Sequence, residues 1–353
     1  MNENILITGG AGFIGTNLAD FYLSKDKRII IFDNFCRRGT EENVRWLQRR
    51  HGKRLTVVKG DIRTDSIDLL KSVESVDVVF HLAAQVAVTT SVAKPREDFE
   101  VNALGTFNVL EAVRLSSSKP IVVYSSTNKV YGKMIDLEVI ERGGRYTYAR
   151  LDHGISETRP IDLYSPYGCS KGIGDQYVID YARIYGLKTV VFRQSCIYGP
   201  HQFGMEDQGW VAWFAIQALQ HLPVTIYGDG KQVRDVLYVD DLIAAYDAAV
   251  ASISNTDGQA YNIGGGPAST LSLMELIDLL EHEFGYRLEH TFAEWRPGDQ
   301  LVFVSDIQKS TRDFGWKPLV TPQVGIARLV DWLRQNQQLF AGADKRDAWE
   351  VSA

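Results

Sequence analysis

The sequence predicts an α/β fold, a doubly wound parallel sheet joined to a second, smaller α/β domain. Three observations point there. Short β-rich runs alternate with helical stretches through the first half of the chain, and several of the runs are continuously apolar, as when both faces of a sheet are covered. A glycine-rich turn, Thr8-Gly9-Gly10-Ala11-Gly12-Phe13-Ile14-Gly15, separates the first strand from the first helix. The regular alternation then gives way to Gly/Pro-marked loops.

Taken in order, strands are expected at residues 4–8, 28–33, 55–60, 76–83, 121–126 and 189–194, with helices between them that include 13–23 and 98–114. Strict strand–helix alternation implies parallel pairing through crossovers. Ser165-Pro166 marks the start of a further helix over 167–185. After about Tyr198 the loops Gly199-Pro200, Gly228-Asp229-Gly230 and Gly264-Gly265-Gly266-Pro267 break the pattern. The chain is therefore divided into a larger domain of residues 1–195 plus about 235–265 and a smaller one of about 196–234 plus 266–340. A loose polar tail is expected over 341–353.

Composition sets outer limits. With 353 residues, 45% of them apolar, the chain can bury a large core. A formal charge of −6 without a basic block disfavours nucleic-acid or membrane-surface partners, so local arginines must handle any anionic ligand. Three cysteines, Cys36, Cys169 and Cys196, lack disulfide or zinc spacing and suit a reducing compartment; no metal is expected. Neither a basic leader nor an apolar run of spanning length is seen, so the expected location is the cytoplasm.

The glycine turn is the first chemical signal. Gly9, Gly12 and Gly15 follow G-x-x-G-x-x-G, which allows a tight turn, close backbone approach to a pyrophosphate, and a helix whose first N–H groups, near Phe13 and Ile14, point at the anion. Asp33 closes the second strand 18 residues after Gly15 (33 − 15), near the spacing expected of a carboxylate on an adenosine ribose. Such a carboxylate repels a 2′-phosphate and favours NAD, although Arg37 and Arg38 in the next loop are able to hold one. Asn34 stands beside Asp33. Asp61-Ile62 is placed for the adenine edge, and Leu82-Ala83-Ala84 ends the fourth strand with side chains that let a dinucleotide pass. His81, just before them, is read as a structural group.

The second signal is Tyr167 and Lys171, four apart and hence on one helical face, following Ser125-Ser126-Thr127 at a strand end. A phenol is a poor base at neutral pH, but a nearby ammonium, a helix N-terminus and an oxidised nicotinamide all favour the phenolate. Tyr167 is thus the candidate base, Thr127 the hydroxyl partner and Lys171 the charge that tunes them.

These motifs, with Tyr124, Arg234-Asp235-Val236-Leu237-Tyr238-Val239-Asp240-Asp241 and Arg296-Pro297-Gly298-Asp299, resemble the extended short-chain dehydrogenase/reductase superfamily of nucleotide-sugar enzymes over nearly the whole chain. The resemblance implies a Rossmann sheet, NAD used catalytically and a nucleotide sugar in the second domain. Residues 125–132 and 165–171, Gln202-Phe203 and residues 207–214 resemble the members that invert C2 of CDP-hexoses. It further implies that Arg234 and Arg296 grip the diphosphate and that Asp299 meets a ribose. Asn128, Gln208 and Trp210 are candidates for the substrate border, although Trp210 shares an i, i+3, i+4, i+7 stripe with Trp213, Phe214 and Gln217 that more often serves a core. Gln85 and Thr89-Thr90-Ser91, in the loop after the fourth strand, are further candidate sugar contacts. Where related dehydratases carry an Asp-Glu pair this chain has Asn128-Lys129, which disfavours elimination. Cys196 stands where many relatives have asparagine; it is either a lost phosphate contact or an inert thiol. The alternatives are a nucleotide-sugar 4-epimerase and an NAD(H)-binding sensor without turnover. A homodimer is expected, with Phe107, Leu110 and Ile184 as candidates either for its seam or only for the sheet-facing core.

Overall fold

The computed structural model describes residues 4–296 and 298–340. Its main sheet has seven parallel strands. They are β1 (Asn4–Thr8), β2 (Arg28–Asp33), β3 (Leu55–Lys59), β4 (Val78–His81), β5 (Ile121–Thr127) and the strands Thr189–Gln194 and Gln259–Ile263. In space the order is Gln259–Ile263, Thr189–Gln194, β5, β4, β1, β2, β3. Chain direction across the sheet reverses between β1 and β4, and the crevice beyond the strand ends at such a switch point is where this architecture binds ligands.

Alternation within each strand sends side chains to two cores. Ile5, Ile7, Ile29, Ile31, Phe80, Val123 and Phe192 pack on one face against the helices Phe13–Ser24 and Val239–Ala251. Leu6, Val79, Val122, Tyr124 and Val191 pack on the other, against Val109, Leu110, Val113, Val178 and Tyr181. Burial of each such side chain contributes about 1.5–3 kcal/mol, so these runs hold their register without polar help.

The chain leaves the main sheet after Gln194. Cys196–Tyr198 pairs with Val233–Tyr238, which also pairs with Thr270–Ser272 and Val302–Phe303. A separate parallel pair joins Val224–Tyr227 to His290–Ala293. The helices Trp210–Leu219, Leu273–Phe284 and Pro322–Gln335 pack around a third core that includes Phe214, Ile226, Leu276 and Leu329. Helix Val239–Ala251 then carries the chain back to the large sheet at Gln259–Ile263.

Two expectations need correction. The helix expected over 98–114 is a composite: an α-helical turn Pro95–Phe99, a π-helical turn Glu100–Leu104 and the α-helix Gly105–Leu115. The wide turn frees the Asn102 carboxamide to donate to Asp98 at 3.1 Å, to the Gln85 carbonyl at 3.0 Å and to Ser170 at 3.1 Å. Leu110 is fully buried against the sheet and is no seam residue, whereas Phe107 and Ile184 are exposed. The tail expected over 341–353 lies outside the described residues. Among those described, no helix is long and apolar enough to cross a membrane.

Candidate active site

A cleft of about 930 Å³ runs from the glycine turn to the smaller sheets, and every residue assigned above to catalysis, cofactor or substrate borders it except Ser91. At its head, Gly9 adopts φ +68°, and a Cβ there would stand 2.7 Å from the Ala83 backbone. Gly15 packs as tightly on Gly10. Gly12 differs: a Cβ on it would meet only the Gly9 carbonyl, at 3.3 Å, so its outer side faces open cleft. Helix Phe13–Ser24 begins there without a side-chain cap, leaving its first N–H groups to an anion. This is a cradle that fits a dinucleotide's pyrophosphate.

Asp33 is fixed by two backbone donors, Ala11 N–H at 3.0 Å and Phe35 N–H at 2.8 Å, one on each oxygen. Burial pushes its carboxyl up, and those same donors oppose the shift. Each oxygen keeps a lone pair free for a ribose hydroxyl. Asp61 is more fully engaged. Arg63 meets it bidentately at 3.0 and 2.8 Å and Asn34 donates at 3.0 Å, which holds its carboxyl down at about 2. Asn34 and Asp61 therefore border the cleft as a joined pair.

The chemical centre lies where β5 ends. Tyr167 is hydrogen-bonded to the Thr127 side chain, and burial pushes its phenol up to about 12. Lys171 donates to the Ser125 carbonyl at 2.6 Å and lies 4.2 Å from the centre of the Tyr124 ring. Burial pulls its ammonium down to about 7, opposed by the charges of Asp175 and Asp98. The protein's own groups thus leave the phenol protonated and the lysine near its titration point. His81 is locked between Thr8 (2.7 Å) and Thr106 (3.0 Å), and burial pulls it down to about 3, so it is neutral and structural.

Support for this centre is buried and polar. Asp175 and Arg193 form a bidentate pair at 2.9 Å on both sides, and Ser126 donates to Asp175 at 2.8 Å. Ser170 donates to Asp98 at 2.5 Å. Ser91 was expected to touch sugar, but it is fully buried and accepts the Tyr167 N–H at 3.1 Å, which fixes the first turn of the tyrosine helix Ser165–Tyr185. Gln85 borders the cleft with its carboxamide closed on Ala87, which accepts from Nε2 at 2.8 Å and donates to Oε1 at 2.5 Å. It shapes the loop instead of offering a free amide.

Toward the smaller sheets, Arg234 is nearly buried and faces Asp299 at 3.6 Å. Trp210 N–H points at the Cys196 sulfur at 3.4 Å, and burial pushes that thiol up, the behaviour of an inert thiol. Arg296 lies 3.9 Å from the centre of the Tyr227 ring. Gln208, expected on the substrate, belongs to a strap at residues 205–208 that is closed by a Met205–Gln208 backbone pair, a closure with no local sign in the sequence. Gln208 accepts from Arg37 at 3.0 Å, Asp207 accepts from Thr89 at 2.9 Å and Thr90 at 3.2 Å, and the Glu206 carbonyl accepts from Arg296 at 2.9 Å. Arg37 and Gln208, expected on cofactor and substrate separately, therefore meet each other across the cleft.

The family described as NAD dependent epimerase/dehydratase matches residues 5–264. The chain is similar to the CDP-paratose 2-epimerase of Salmonella typhi, with 46% identity over 334 residues that cover 93% of this chain and 98% of that protein. Its structure is similar to that of the UDP-glucose 4-epimerase of Thermotoga maritima with UDP-glucose, with a TM-score of 0.81, 31% identity and coverage of 95% and 99% of the two chains. The UDP-glucuronic acid 4-epimerase of Bacillus cereus, solved with UDP-glucuronic acid and NAD, gives a TM-score of 0.80 at 29% identity over 94% and 99%.

Proposed function

The chain belongs to the family of NAD-dependent epimerases and dehydratases, and we propose that it inverts C2 of a CDP-linked hexose, of the paratose and tyvelose kind, through a transient 2-keto sugar. The observation that carries this reading is the 46% identity with a CDP-paratose 2-epimerase along 93% of the chain. The local chemistry agrees with it, because Asn128 and Lys129 after Thr127 offer no carboxylate pair to drive loss of water.

NAD, when bound, supplies the acceptor for the hydrogen on C2 as hydride and later returns it. In this reading Gly9, Gly12 and the N–H groups at Phe13 and Ile14 hold its pyrophosphate, Asp33 a ribose, and Asp61 with Ile62 the adenine. Tyr167 takes the C2 hydroxyl proton as the carbon–hydrogen bond breaks, and the oxygen becomes a carbonyl while Thr127 stays hydrogen-bonded to it. The ketone then presents its other face, the hydride re-forms the carbon–hydrogen bond there, and Tyr167 returns the proton. Electrons and atoms balance with no net oxidation. Lys171 supplies positive charge beside the phenol, and Asp98 and Asp175 keep that charge available.

The solved 4-epimerases keep one rival in view, the same cycle at C4 of a UDP- or CDP-sugar. Incubation of the purified protein with a panel of CDP- and UDP-hexoses, read by NMR, separates the two. Inversion at C2 of a CDP-hexose is expected. Inversion at C4 moves the function to the rival, and no turnover of any sugar by the NAD-loaded protein would favour the sensor. The same reading makes the protein a homodimer through the helices Gly105–Leu115 and Ser165–Tyr185, where Phe107, Tyr177 and Ile184 are exposed. Its free thiols suit the reducing cytoplasm.

A further inference from the structure

Lys129 borders the cleft and takes no part in the steps above. It sits in the single turn Asn128–Tyr131, where its N–H donates to Thr127 Oγ1 at 3.2 Å, so its backbone is tied to the catalytic hydroxyl. The side chain borders the cleft. The charged and titratable groups that face it are Arg234, Asp299 and Cys196. Asp299 already answers Arg234 at 3.6 Å, and the Cys196 thiol, pushed up by burial, brings no charge. Two cations therefore share one carboxylate. Among the described residues the Lys129 ammonium makes no hydrogen bond or ion pair. Burial, and then the Arg234 charge, pull it down to about 8, and the shared Asp299 charge opposes them only in part.

A partly desolvated, unpaired cation is costly to a fold unless the working complex compensates it. A neutral sugar hydroxyl does not cancel the excess charge; an anion does. We propose that Lys129 is a substrate-binding residue that, with Arg234, grips the diphosphate between nucleoside and sugar. The proposal rests on the nucleotide-sugar reading, but only on its diphosphate. Each bridging phosphate carries a negative charge, so the diphosphate supplies the anion that Lys129 and Arg234 otherwise share in Asp299, while Asp299 stays free to orient Arg234. Lys129 thus ties substrate anchoring to the turn that carries Thr127.

The test is calorimetric binding of CDP, UDP and cytidine to the NAD-loaded wild type and to Lys129→Met and Lys129→Arg. A charge-assisted contact predicts CDP and UDP binding about 10- to 100-fold weaker in Lys129→Met, unchanged cytidine binding, and recovery to within about threefold in Lys129→Arg. Near-wild-type CDP and UDP binding by Lys129→Met would overturn the proposal, as would an equal loss for cytidine. A preference of the wild type for UDP over CDP would count against the CDP reading alone. A second measurement works on the wild type if the variant does not fold. Reductive methylation mapped by mass spectrometry should show Lys129 protected by inorganic pyrophosphate, and equal labelling with and without it would contradict the assignment.

Discussion

The phenol of Tyr167 is pushed up to about 12 by burial, and the Thr127 hydrogen bond is the chief protein contact opposing the shift. The site is therefore built to make a phenolate only when positive charge gathers around it. Tyr167→Phe is expected to cut turnover by about 10²- to 10⁴-fold, the range for losing a general base. Bound NAD should survive, because the glycine cradle and Asp33 are untouched; a near-normal rate would refute the assignment. A different residue-scale effect concerns stability. His81 and His201 are pulled down by burial to about 3 and about 4. The folded chain binds fewer protons there than the unfolded one, so their contribution is full above about 6.5 and is lost as pH falls toward those values. Each adds up to about 1.4 kcal/mol per pH unit to the slope in that window. Urea unfolding of His81→Gln should show a shallower loss between about pH 6.5 and 4.5 than the wild type, and parallel curves would contradict the buried neutral assignment.

At the scale of elements, the helices Gly105–Leu115 and Ser165–Tyr185 each serve two surfaces. Their inner faces seat Val109, Leu110, Val178 and Tyr181 on the sheet, and their outer faces leave Phe107, Tyr177 and Ile184 exposed, with Phe107 and Tyr177 in edge contact at 6.0 Å. Phe107→Glu with Ile184→Glu should convert a dimer to a monomer in sedimentation at micromolar concentration. A wild type that sediments as a monomer would end the proposal. Six strands of the main sheet were legible because their apolar runs allow little else, and the tyrosine helix because Ser165-Pro166 announces it; the seventh strand, Gln259–Ile263, with Gln259 and Asn262 in so short a run, was not read as one. Leu110 stayed open between seam and core until the fold placed it in the core, because helical spacing alone does not tell the sheet face from the outer face. The π-helical turn at Glu100–Leu104 left no pattern in the sequence, since two of the three groups that Asn102 meets there, Gln85 and Ser170, are brought near only by the fold.

For the molecule as a whole, one cleft joins the parallel sheet to the smaller sheets, and the strap at residues 205–208 crosses between them. Long-range hydrogen bonds such as Arg37 to Gln208, 171 residues apart, carry no local signal, which is why the strap escaped the sequence reading while Tyr167 and Lys171, one helical turn apart, did not. A cleft lined from both the parallel sheet and the smaller sheets suits a reaction whose intermediate is a ketone that must turn without leaving. The central claim is that C2 is inverted by hydride removal and return on one bound cofactor. Turnover of the CDP-hexose in D₂O, with the product read by NMR and mass spectrometry, tests it most directly: the account predicts inverted C2 bearing no deuterium, because that hydrogen never meets solvent, and substantial deuterium at C2 would contradict it.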